Sequence, residues 1–159
     1  MRRGVQRAAW LFWGSIAWLG CEPASVPLEI NFPSEEGFLV ARTVTVHVVD
    51  ADGDDPCGEA RSRVVSSLAP EGAELSLPFE PCDVRDGVTL PIVGGGRRAY
   101  VVAVQARTHV VLAGCTVAEV RRDGSPVVVV LSSTPLYAEG LESNRPEPGE
   151  TVMARCAGL

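Results

Sequence analysis

The chain has 159 residues, 20 Asp or Glu against 14 Arg, no Lys, and a formal net charge of −6. That length suits one compact domain behind an export signal. The acidic balance argues against nucleic acid as a partner and against electrostatic attraction to anionic lipid.

The first element is an apolar run, Ala8–Leu19, behind Arg2, Arg3 and Arg7 and ahead of Glu22-Pro23. About a dozen apolar residues fall short of the ~20 that cross a ~30 Å hydrocarbon core, so the run predicts a cleaved export signal and not a spanning helix. A plain secretory cut near Gly20 is the rival reading, and an uncleaved anchor is the third. Arg2-Arg3 lacks the apolar residues that twin-arginine export wants next, since Gly4-Val5-Gln6 follow.

Trp18-Leu19-Gly20-Cys21 resembles the lipobox of bacterial lipoproteins, with Trp18 where that family usually has leucine. The resemblance implies cleavage before Cys21, acylation of its thiol and new amino group (a palmitate-type anchor), and a membrane held through that lipid. Glu22, in place of the aspartate that resembles an inner-membrane retention signal, favours the outer membrane. Cleavage there leaves 11 Arg against 20 acids, a net charge of −9, and removes Trp10, Trp13 and Trp18. The core must then rest on Val, Leu, Ala and a few Phe and Tyr.

Cysteine parity agrees with lipidation. With Cys21 acylated, Cys57, Cys82, Cys115 and Cys156 form an even set for two disulfides. None has the spacing of a zinc ligand set. Three pairings are open, and Cys57–Cys82 with Cys115–Cys156 is the expected one, because the first two flank one irregular segment. Closing loops of that size contributes ~3–4 kcal/mol each by chain entropy.

Beyond Cys21, residues 22–37 are acidic and punctuated by Pro23, Pro27 and Pro33. They read as a tether reaching up to ~50 Å, with a short strand over Leu28–Asn31. Val44, Val46 and Val48 then alternate with polar residues, as do Leu75, Leu77 and Phe79, and Val88, Leu90 and Ile92. Each is a period-two strand, and Pro78 and Pro91 push the latter two to sheet edges. Arg61–Leu68 fits a helical turn or a strand. Tyr100–Ala106 and Val110–Cys115, joined by Arg107-Thr108-His109, predict a hairpin. The apolar run Val127–Leu131 predicts a strand covered on both faces. Residues 138–151 read as irregular, with Cys156 pinning the tail.

Seven or so short strands with turns between them predict an all-β chain, an antiparallel β-sandwich. The expected division is signal 1–20, lipidated Cys and tether 21–38, β-domain 39–137 and tail 138–159. Gly94-Gly95-Gly96-Arg97-Arg98-Ala99-Tyr100 through Gly114-Cys115 to Val127–Leu131 resembles immunoglobulin-like or prealbumin-like domains of secreted bacterial lipoproteins. That pattern implies a fold and no activity.

Three local features invite a chemical reading. Asp50, Asp52 and Asp54 alternate around Gly53, as oxygen ligands of calcium do, although the spacing departs from a helix–loop–helix calcium loop. The bland alternative is a solvated acidic turn. His47 sits on the polar face of its strand and His109 in a turn, and neither has a nucleophile motif nearby, so both read as surface residues. Gly94–Gly96 before Arg97-Arg98 has the glycines of an anion cradle but precedes a strand, so a hairpin loop is the better reading. No catalytic set emerges. The expected function is a non-catalytic binding or structural module of the cell envelope, engaging another envelope protein, with a small-ligand or calcium-binding domain as the alternative.

Overall fold

The computed structural model describes residues 25–91, 96–119 and 124–158. The apolar run, Cys21, Gly94-Gly95 and Ile92 lie outside them. In chain order the strands are β1 (Ser25–Asn31), β2 (Thr43–Asp50), β3 (Ala73–Phe79), β4 (Val88–Pro91), β5 (Arg97–Ala106), β6 (His109–Glu119), β7 (Val127–Val130) and β8 (Ser132–Ser133). Among the described residues five helices interleave: α1 (Glu35–Leu39), α2 (Pro56–Val65), α3 (Pro81–Val84), α4 (Tyr137–Ser143) and α5 (Val152–Ala157). The described chain is mostly β.

The strands form two sheets, ordered β3-β2-β5-β6-β8 and β4-β1-β7. The larger is antiparallel throughout. In the smaller, β1 pairs antiparallel with β4 but parallel with β7, which departs from the all-antiparallel expectation. A parallel pair needs a long crossover, and most of the domain lies between β1 and β7. Pro78 and Pro91 fall in β3 and β4, both edge strands, where a missing N–H breaks no ladder.

Alternation in β2 turns Val44, Val46 and Val48 inward, where they meet Tyr100, Val102 and Val104 of β5 and Leu28, Ile30, Leu90, Val127 and Val129 of the smaller sheet. A second, smaller core lies on the other face of the large sheet. There Ala60 and Val64 of α2 cover Val101, Ala103, Val110 and Ala113. This double cover explains why β5 is buried almost continuously from Ala99 to Val104. The β5–β6 hairpin forms where the sequence predicts it, with Ala106 opposite His109 and Arg107 in the left-handed region at φ 55°.

Several expectations are corrected. The proline-punctuated stretch is not a tether from Ser25 onward: β1 is the central strand of its sheet, with Leu28 fully buried. The domain therefore begins before residue 39. Residues 61–65 complete a helix that starts at Pro56, because the Asp55 carboxylate accepts from the Gly58 N–H and Pro56 fits a first helical turn. Val127–Val130 is an edge strand covered on one face only, with Val130 65% exposed. The C-terminal stretch carries α4 and α5, and Gly140 of α4 packs so close to Val111 that a Cβ there would clash with its Cγ1.

The disulfides are Cys57–Cys115 and Cys82–Cys156, with Cα–Cα distances of 5.6 and 5.5 Å. This overturns the Cys57–Cys82 expectation. The segment between those two cysteines is a helix and a strand, and α2 crosses the sheet to reach β6 while α3 meets α5.

Candidate functional site

The residues singled out from sequence do not assemble into one site. Asp50, at the end of β2, accepts from Arg98 Nη1 at 3.1 Å, and Arg98 Nε also donates to Glu74 at 2.9 Å. Asp55 is engaged as the cap of α2, while Asp52 and Asp54 project into solvent. Among the described residues no three His, Cys, Asp or Glu side chains are grouped to hold a metal ion, so Asp50, Asp52 and Asp54 are not gathered as a ligand set.

His47 is not the surface residue its strand position suggests. It is 8% exposed, on the face of the large sheet that α2 covers, and its Nδ1 lies 2.8 Å from Ser76 Oγ on β3. Burial pushes its pKa down. A Ser–His contact is one half of a nucleophilic constellation. Among the described residues no carboxylate bonds the other ring nitrogen, so the orienting member is missing. His109 opens β6 and is partly exposed, far along the sheet from the Asp50 turn.

The richest polar convergence was invisible in the sequence. At the end of the molecule where β2 begins, the Arg42 N–H donates to the Gln105 carbonyl at 2.8 Å, fixing the backbone beside β5. The Arg42 side chain donates from Nε at 2.9 Å and Nη2 at 2.5 Å to Asn144 Oδ1. Asn144, 8% exposed just after α4, donates in turn from Nδ2 to the Val40 carbonyl at 2.7 Å. One buried amide thus holds a guanidinium and a backbone carbonyl together. Its donor and acceptor needs are both met.

Helix α5 closes the other wall. It is held by Cys82–Cys156 and by the Glu35 carboxylate, which accepts from the Val152 N–H at 3.0 Å. Arg155 on α5 donates to the Leu39 carbonyl and lies 3.8 Å from Glu150. The second Glu150 oxygen accepts from the Glu147 N–H at 3.0 Å, bracing the loop that carries Arg145. Arg145 itself makes no hydrogen bond or ion pair with the described residues. The result is a cleft of about 410 Å³ between the α4–α5 loop, α5 and the residue before β2. Arg42 lies about a hundred residues before Arg145 and Arg155 in the chain, so no spacing motif could have joined the three; the only sequence signal is that arginine is the sole strong cation.

No family model, no curated protein and no solved structure matches this chain.

Proposed function

We propose that this protein is a lipid-anchored component of the bacterial cell envelope, cleaved before Cys21, held by acyl chains on that residue, and placed in the outer membrane. Its two-sheet domain is read as an immunoglobulin-like or prealbumin-like β-sandwich serving as a non-catalytic binding or structural module, with another envelope protein as a candidate partner. The observation that carries the reading is the cysteine account. Cys57, Cys82, Cys115 and Cys156 pair off completely in two disulfides. That leaves Cys21 as the fifth, at the end of the apolar run. Disulfides of this kind belong to oxidising compartments, which supports export. Two or more acyl chains give a stable hold that an acidic domain lacks by itself.

Detergent phase partitioning of the wild-type chain beside Cys21→Ala tests the anchor. The wild type is expected in the detergent phase and the variant in the aqueous one. If both stay aqueous, the lipid anchor is wrong.

A further inference from the structure

We propose that the cleft lined by Arg42, Arg145 and Arg155 binds a small oxyanion, a phosphate or a carboxylate carried on a compact soluble molecule. The inference rests on the geometry of the domain and stands apart from the anchor. It would survive failure of the Cys21 reading.

Charge is the first argument. The whole chain is acidic, at a net −6, yet three of its 14 cations face one cavity. Two carboxylates share that cavity, Glu147 and Glu150. Glu150 is committed to Arg155 and to the Glu147 N–H. Glu147 forms no ion pair with any of the three guanidinium groups. Among the described residues, Arg42 and Arg145 are therefore not paired with a carboxylate.

Preorganisation is the second. Arg42 is fixed by a neutral acceptor, Asn144 Oδ1, which orients the guanidinium without cancelling its charge. The buried Asn144 is itself locked to the Val40 carbonyl. Holding a cation in place before the ligand arrives removes part of the ordering cost of binding. Arg145 keeps its whole fork of donors for a bidentate contact, the mode in which guanidinium recognises carboxylate and phosphate. Arg42 then acts as the fixed charge and Arg145 as the clamp.

Size is the third. At about 410 Å³ the cleft exceeds a bare ion and falls in the ~300–1,000 Å³ range of small-molecule sites. A groove of about 460 Å³ along β6 and β7 is slightly larger, but among the described residues that line it, Val26, Val117, Ala118 and Val127 are apolar and Glu119 is the one charged side chain, so no described cation faces it.

The test is thermal denaturation of the full chain in non-ionic detergent, titrated with inorganic phosphate or citrate against sodium chloride of equal ionic strength, which removes general screening. Binding to the folded state raises Tm progressively with ligand concentration. Wild type and Arg97→Gln, whose arginine lies on β5 at the far end of the sheet, are expected to shift alike. Arg145→Gln, which removes no hydrogen bond or ion pair with the described residues, is expected to weaken the response about tenfold or more. Arg42→Gln should do the same if it folds. A shift with phosphate alone assigns a phosphate ligand, and one with citrate alone a carboxylate. No shift beyond the chloride control with either ligand, or an undiminished shift in Arg145→Gln, overturns the proposal.

Discussion

A methyl group placed on Gly114 would lie 2.5 Å from the carbonyl oxygen of Val130 and 2.9 Å from Val129 Cγ1. Strand β6 of the large sheet passes β7 of the small one at this point, and only a residue without a side chain lets the backbones approach so closely. The neighbour is main chain, held on its other side where the Leu131 N–H donates to the Asn31 carbonyl at 2.9 Å. It cannot swing aside as a flexible side chain would. Gly114→Ala is therefore expected to destabilise by about 1–3 kcal/mol, the usual cost of overpacking. Urea denaturation reads it directly, and an unchanged midpoint would show that the two strands stand further apart.

Cleavage after arginine isolates the four paired cysteines in separate peptides: 43–61, 64–85, 108–121 and 156–159. Without reductant, mass spectrometry should find 43–61 joined to 108–121 and 64–85 joined to 156–159. A 43–61 to 64–85 species would reinstate the pairing expected from sequence. The loops close over 58 and 74 residues, so removing either bridge as a double alanine variant should cost about 4 kcal/mol by chain entropy.

Tyr100 is fully buried between the sheets, and its hydroxyl has no hydrogen-bond partner among the described residues. Burial pushes its pKa upward, consistent with a phenol kept neutral. An unpaired buried hydroxyl costs about 1–3 kcal/mol, whereas an apolar group of the same shape avoids that cost. Tyr100→Phe should thus match or exceed wild-type stability, by up to about 1 kcal/mol. A loss of more than that in chemical denaturation would mean that the hydroxyl is bonded.

His47 should make stability depend on pH in one direction. Its folded-state pKa lies below the ordinary value, so below about pH 6.5 the unfolded chain takes up a proton that the folded chain refuses. The contribution is fully present above that value and is lost as pH falls toward the depressed folded pKa. Comparing urea midpoints at about pH 7.5 and about pH 5.5, the wild type should lose more stability than His47→Gln. Equal losses would place His47 in contact with water.

Period-two alternation revealed β2 and β3, whose alternate residues pack against the core between the sheets, and the β5–β6 hairpin was legible as two apolar runs joined by Arg107-Thr108-His109. The prolines in β3 and β4 correctly signalled edges, since a residue without an N–H is costly anywhere else in a sheet. Other elements obeyed long-range demands that local pattern does not encode. Val127–Val130 is apolar throughout, yet Val128 and Val130 face outward; composition reports the residue type, not the neighbour. Gly140 looks like a helix breaker but marks the close approach of α4 to Val111. Asn144 and Arg42 meet across 102 positions of sequence, a pairing that only the completed fold brings about.

The early start of β1 gives the molecule a polarity. Ser25 lies four residues beyond Cys21, and a chain extends at most ~3.5 Å per residue, so acyl chains on Cys21 would hold the first strand within about 14 Å of their attachment point. Val26 borders the groove at the Thr116–Glu119 end of β6. The arginine cleft sits beside Gln105, at the opposite end of the hairpin. Eleven residues of β6 separate those ends by roughly 35 Å. If Cys21 is acylated as proposed, the domain would stand close against the lipid with its arginine cleft at the end of the hairpin furthest from the anchor, open to solutes in the aqueous space.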